Sequence, residues 1–202
     1  MLIVISAESI LVDEVKIVNQ MFEAGLQRFH FRKPNCSDID CVSFLKQIPN
    51  EYKNRVFYHQ NHSIVSKYKI GGIHLTEKLR KSISEKELQA MHQSLSKYSI
   101  SLSSSIHQID EIESVSSCFE SLFISPVFDS ISKQNYLANE SILKVENKIL
   151  EKRKLIALGG ITTKNIDQLK EKKFFGVAIL GSIWNHENPY LEFQKLQKIW
   201  EN

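Results

Sequence analysis

The 202-residue chain is 42% hydrophobic and 24% charged, enough to bury one core but short for two, so a single domain over residues 1–202 is expected. A net charge of +3 with no block of Lys or Arg argues against nucleic-acid and acidic-membrane partners and leaves room for a small anionic ligand. Cys36, Cys41 and Cys118 are odd in number and lack C-x-x-C spacing, and Glu8 interrupts the first apolar run too early for a signal peptide or membrane span, so a cytoplasmic protein without disulfides is expected.

Residues 2–5 read as a first strand, followed by a helix in which Val15, Val18 and Phe22 recur at helical spacing before Gly25. Arg28-Phe29-His30-Phe31-Arg32 alternates strictly, which puts His30 and Arg32 on one face and Phe29 and Phe31 on the other, and Pro34 stops the strand. Residues 37–48 predict a helix with Ile39, Val42 and Leu45 inward, 56–60 a third strand, 63–69 a short helix and 72–76 a fourth strand. Ser84 and Glu87 form a capping box, with Ile83 and Leu88 placed as a hydrophobic staple. Strands over 98–104 and 121–128 flank a helix over 109–117, and a long polar loop, 129–136, follows.

A helix near 142–152 leads to two short apolar runs, 155–161 and 175–183, each of which reaches a glycine turn, Gly159-Gly160 and Gly181. Asn188-Pro189 then caps a last helix carrying Phe193, Leu196 and Trp200. Runs that are apolar on both faces suit buried parallel strands, and glycine lets backbone approach a ligand. Eight strand–helix alternations in this length predict an α/β fold, a (β/α)₈ TIM barrel. The doubly wound alternative lacks its G-x-G-x-x-G after the first strand.

In such a barrel the site lies at the C-terminal strand ends, and the loops after strands seven and eight hold phosphate. Gly160, Leu180 and Gly181 occupy those positions and would offer main-chain N–H groups and helix N-termini to an anion. The other strand ends bring His30, Arg32, His59, Gln60, His74, Thr76, Ser105, His107, Ser130, Ser132 and Lys133 to the same mouth. Arg32 and Lys133 suit a phosphate or carboxylate, and a histidine can exchange protons near neutrality. His59 and His62 lack a carboxylate or cysteine at zinc-ligand spacing, so no metal ligand is assigned, and no G-x-S-x-G elbow marks a nucleophilic serine.

The stretch Ser125-Pro126-Val127-Phe128-Asp129-Ser130-Ile131-Ser132-Lys133 resembles the G-P-[VI]-F-P-T-x-T-K loop of the thiamine-phosphate synthase family. His30-Phe31-Arg32-Lys33-Pro34 is similar to that family's Q-L-R-E-K, Gly72-Ile73-His74-Leu75 to G-V-H-L, Ser105-Ile106-His107 to S-x-H, Ala157-Leu158-Gly159-Gly160-Ile161 to A-I-G-G-I, and Gly176-Val177-Ala178-Ile179-Leu180-Gly181 to G-V-A-V-V-S. The resemblance implies a (β/α)₈ barrel and one of two activities on a thiazole phosphate. A synthase joins it to a pyrimidine pyrophosphate with Mg²⁺. A thiazole tautomerase moves a proton on a thiazole carboxylate phosphate, with a histidine as acid and base.

The departures favour the second activity. The synthase's Mg²⁺-binding aspartates fall where this chain has His59-Gln60 and His74-Leu75-Thr76-Glu77-Lys78-Leu79, and Pro34 replaces a lysine that contacts pyrophosphate. His107 matches the tautomerase histidine when Ser105-Ile106-His107, rather than Ser103-Ser104-Ser105, is set against S-x-H. The resemblance therefore implies catalysis by His107 and substrate contacts from His30, Arg32, His59, Ser105, Ser130, Ser132 and Lys133. It also implies phosphate held at Gly160, Leu180 and Gly181, and no cofactor. Two alternatives stand beside it. One is a divergent synthase in which Lys33, Glu77 and Gln60 rebuild a Mg²⁺–pyrophosphate site, and the other is a phosphate-ligand binder without chemistry. The expected partner is a small phosphorylated thiazole, with no nucleic acid and no membrane, and a homodimer is left open as the assembly.

Overall fold

A computed structural model describes residues 1–59, 65, 67–130 and 137–202. Eight parallel strands close into one barrel in sequence order: β1 (Leu2–Ile5), β2 (Arg28–Phe31), β3 (Val56–Tyr58), β4 (Gly72–Leu75), β5 (Ser101–Ile106), β6 (Ser121–Ile124), β7 (Leu155–Leu158) and β8 (Gly176–Ile179). Closure is made by β8 against β1, with Ile3 beside Ala178. This is the (β/α)₈ barrel expected from the sequence, and it removes every sheet edge. Helices α1 (Glu14–Glu23), α2 (Asp38–Lys46), α3 (Glu77–Ser82), α4 (Glu85–Ser96), α5 (Asn147–Lys152), α6 (Ile166–Glu171), α7 (Gly181–Trp184) and α8 (Pro189–Glu201) accompany the strands. Among the described residues no helix is long and apolar enough to cross a membrane.

Alternation along the strands sorts their side chains into two layers. Leu2, Val4, Phe29, Phe31, Val56, Tyr58, Ile73 and Leu75 join the large core beneath the helices, whereas Ile3, Ile5, Phe123, Ile156 and Ala178 form a second cluster inside the barrel. The interior is chemically lopsided. Around β2 to β5 it is filled by His30, Phe57, His74 and Ser103, all buried. Serines at every second position of β5 are small enough to leave room for the imidazoles opposite, and their hydroxyls bond them: His74 Nδ1 lies 3.0 Å from Ser103 Oγ, and Nε2 lies 2.8 Å from Ser105 Oγ.

The helix signals at the chain's surface hold where capping chemistry sets them. Ser84 Oγ accepts from the Glu87 amide at 3.3 Å while the Glu87 carboxylate accepts from the Ser84 amide at 2.9 Å, completing the capping box. Asn188 Oδ1 accepts from the Leu191 amide at 3.0 Å with Pro189 in the first turn, and Phe193 and Leu196 are buried.

Elsewhere the sequence reading needs correction. Leu45 is buried as expected, but Ile39 is 81% exposed and Val42 only partly covered, and α2 completes its inner face with Cys41 and Phe44. The helix expected over 109–117 is a run of turns. Ser114 Oγ bonds back to the Glu111 carbonyl and Ser116 Oγ takes the Cys118 amide, so hydroxyls compete with helical pairing. The segment 142–152 divides into a 3₁₀ turn, Ile142–Lys144, and α5. Strands three, six, seven and eight end earlier than expected, at Tyr58, Ile124, Leu158 and Ile179. In the short helix expected over 63–69, residues 65 and 67–69 form turns and 63, 64 and 66 lie outside the described residues, as do Gln60, Asn61 and His62 and most of the 129–136 loop.

Candidate active site

The C-terminal ends of the strands surround a cavity of about 590 Å³. Ala7 and Glu8 follow β1, Arg32 β2, Thr76 and Glu77 β4, His107 β5, Ser130 β6, Gly160 β7, and Leu180 and Gly181 β8, and all line it together with Ser105 and Ser125. Of the residues singled out from sequence, Arg32, Ser105, His107, Ser130, Gly160, Leu180 and Gly181 therefore share one wall-to-wall space. His30 and His59 are not among its lining residues. His30 is wholly buried beneath, stacked on Phe57 with centroids 5.0 Å apart, and its Nδ1 lies 2.9 Å from His59 Nε2. Burial, reinforced by the neighbouring His74 and Arg28, pushes the His30 ring pKa well below its ordinary value and keeps it neutral. Ser132 and Lys133 lie outside the described residues.

The end of the cavity where the sequence reading expects phosphate is built by glycine geometry. Gly159 and Gly160 adopt φ of +105° and +64°, and a Cβ on Gly160 would strike the Asp129 carbonyl oxygen and come within 2.7 Å of Phe128 Cβ. Asn165 clamps the turn, donating from Nδ2 to the Gly160 carbonyl at 2.9 Å and accepting from the Thr162 amide at 2.8 Å. The amides of Gly160 and Gly181 donate to no described protein atom, so both remain available to an anion. Ser182 Oγ, beside Gly181, is buried and has no partner among the described residues. Gly160→Ala is expected to cost on the order of 1–3 kcal/mol of folding stability and to weaken phosphate-ester binding. Urea unfolding and a titration with a phosphate ester would measure the two losses.

At the end of β5 His107 is held in one orientation. Its Nδ1 lies 2.9 Å from the Ser125 carbonyl oxygen, which can only accept, so Nδ1 carries the proton and the Nε2 lone pair is directed elsewhere. Nε2 is 3.6 Å from a Glu77 carboxylate oxygen. Glu77 is itself tied to Lys81 at 2.7 Å, and Lys81 with Arg80 reaches Glu111 at 3.0 and 2.7 Å. Arg32 is positioned by its backbone: Ser6 Oγ accepts from its amide at 2.8 Å and donates to its carbonyl at 2.9 Å. Its guanidinium meets Glu8 at 2.7 Å, so the chain's own carboxylate already occupies this fork.

Lys33, considered for a rebuilt pyrophosphate site, points away from the mouth. Its side chain is fully buried, 2.5 Å from Glu14 and donating to the carbonyls of Ala7 and Ser9 at 2.7 Å. Sequence reasoning missed Ser125, because the atom that orients His107 is a main-chain carbonyl, which any residue type supplies. It also passed over Glu8 and Lys78, although both follow barrel strands closely and line the cavity.

With this geometry in view, the comparisons with known proteins agree. A family model described as thiamine monophosphate synthase (TMP-TENI) matches residues 1–183. A thiamine-phosphate synthase of Prochlorococcus marinus is 27% identical over 191 residues, covering 90% of this chain and 52% of that protein, so the chain spans about half the length of this relative. A thiamine phosphate pyrophosphorylase from Bacteroides thetaiotaomicron superposes with a TM-score of 0.79 at 27% identity, covering 99% of this chain and 97% of the other. Another from Pyrococcus furiosus has the same TM-score at 17% identity over 99% and 95%, a likeness of fold. A match that runs from the first strand into α7 and includes both glycine turns places the chain in the thiamine monophosphate synthase family.

Proposed function

We propose that the protein binds a phosphorylated thiazole carboxylate in this cavity and isomerises it by moving a proton through His107, a thiazole tautomerase-like activity that requires no divalent cation. The observation that carries the reading is the contact of His107 Nδ1 with the Ser125 carbonyl, which sets the ring's tautomer, in a cavity that Gly160 and Gly181 also line. The phosphate would sit on the Gly160 and Gly181 amides, and the substrate carboxylate would displace Glu8 from Arg32. Nε2 then takes a proton from one carbon of the ring system and returns it to another, so atoms and charge balance over the cycle. While the proton is held, the ring lies between the Ser125 carbonyl at Nδ1 and a Glu77 carboxylate oxygen 3.6 Å from Nε2.

The Mg²⁺ expected of a synthase fits the described residues poorly. That ion wants carboxylate and water oxygens in octahedral array. The carboxylates on the cavity are those of Glu8 and Glu77, and each is already in contact with a cationic side chain, Arg32 at 2.7 Å and Lys81 at 2.7 Å. Lys33, the other element of a rebuilt pyrophosphate site, is committed to Glu14.

The test follows the thiazole carboxylate phosphate by NMR in D₂O after chelator treatment of the enzyme. The expected result is conversion to the aromatic isomer with deuterium entering the product. Product formation only when Mg²⁺ and a pyrimidine pyrophosphate are both supplied, with release of pyrophosphate, would replace this reading by the synthase one.

A further inference from the structure

The residues beneath the cavity form an assembly that the proposed proton transfer does not use. His30 from β2, His59 just after β3 and His74 from β4 each offer a ring nitrogen, and these three nitrogens lie within 4.8 Å of one another. His30 Nδ1 and His59 Nε2 are 2.9 Å apart. The His59 and His74 rings stack with centroids 4.2 Å apart, and the His30 ring stands edge-on to both.

We propose that His30, His59 and His74 form a three-histidine site for a divalent transition-metal ion of the Zn²⁺ or Co²⁺ class, inside the barrel and below the substrate cavity. Three neutral imidazoles with no carboxylate are a borderline-soft donor set that suits such ions and not Mg²⁺ or Ca²⁺. A tetrahedral ion with nitrogen ligands at about 2.0–2.1 Å holds them about 3.3–3.4 Å apart, so the His30–His59 pair opens by a few tenths of an ångström to admit one. His74 carries the outer support that metal-bound histidines use. Its Nδ1 can donate to Ser103 Oγ, which in turn donates to the Ile73 carbonyl at 3.4 Å, and this sets the tautomer that carries the acceptor lone pair on Nε2. That Nε2 is 2.8 Å from Ser105 Oγ, a hydroxyl that an incoming ion would displace, and Ser105 lines the cavity, which gives the ion a way in from the mouth. His59 is half-buried, consistent with access from the same side. The site is independent of the activity proposed above, which takes its proton on His107.

The test is a Co²⁺ titration of the full-length, chelator-stripped protein, read by the visible bands of four-coordinate Co²⁺ and by displacement with Zn²⁺. One equivalent is expected, with affinity falling at least tenfold in His59→Gln and in His74→Gln and unchanged in His92→Gln on α4. Absence of saturable binding, or binding that both site variants retain, would overturn the proposal. Should His74→Gln fail to fold, ¹⁵N spectra of the parent's histidines decide. Zn²⁺ must shift the ring nitrogens of these three, and shifts confined to other histidines would refute the site.

Discussion

Alanine in place of His107 is expected to slow the isomerisation by roughly 10²–10⁴-fold while leaving affinity for the phosphorylated thiazole close to that of the parent. The separation of effects follows from where the contacts are. Under the proposed function the anion is held by the Gly160 and Gly181 amides, and the proton moves on a different group that lines the same cavity, the His107 ring fixed through the Ser125 carbonyl. Steady-state kinetics should therefore show the loss in kcat with little change in KM. The side chain is 41% exposed, so its removal leaves no large hole in the core and the variant should fold. A parent protein that binds the thiazole phosphate and turns over nothing, with His107→Ala binding equally well, would mean that the cavity is a ligand-binding site without chemistry. Equal rates in parent and variant would remove His107 from the mechanism.

The parts of this molecule that were legible in its sequence are those where a local rule suffices. Strand alternation in Arg28-Phe29-His30-Phe31-Arg32 correctly set Phe29 and Phe31 on the face opposite His30, and both rings pack near Phe44 beneath the helices. Gly159 and Gly160 marked the turn after β7 because their positive φ values are ones that glycine adopts without strain. What escaped depends on distances between units. The histidine cluster is invisible to spacing rules because His30, His59 and His74 are brought together by the register of adjacent strands, His30 opposite Phe57 and Tyr58 opposite Ile73, and not by one helix or loop. Ile39 was misplaced because period alone gives the shape of an apolar stripe and not which neighbouring stripe meets the sheet. Lys33 was offered only for the rebuilt pyrophosphate site of the synthase alternative, and sequence spacing gave no sign that its partner is Glu14 on α1.

That pair carries the other large effect. Lys33→Met should lower folding stability by about 3–5 kcal/mol, because it leaves the Glu14 carboxylate buried without its counter-charge. Burial pulls the Glu14 carboxyl pKa up and the Lys33 ammonium pKa down, so each remains charged only through the other. In a chain of this size the loss corresponds to a fall in Tm of roughly 6–20 °C. Adding Glu14→Leu should recover part of it, since a buried ion pair is often replaceable by apolar groups. Recovery is expected to be incomplete because the two side chains also satisfy the main chain. Glu14 accepts from the amides of Ala7 and Leu11 at 3.2 Å, and Lys33 donates to the carbonyls of Ala7 and Ser9. Four backbone groups of the loop after β1 would lose partners, and that loop presents Ala7 and Glu8 to the cavity. The double variant should thus regain stability more fully than it regains substrate affinity. Urea unfolding and ligand titration on the same preparations measure both, and a cost below about 1 kcal/mol for Lys33→Met would show that water reaches Glu14 and that the pair does not hold the mouth in shape.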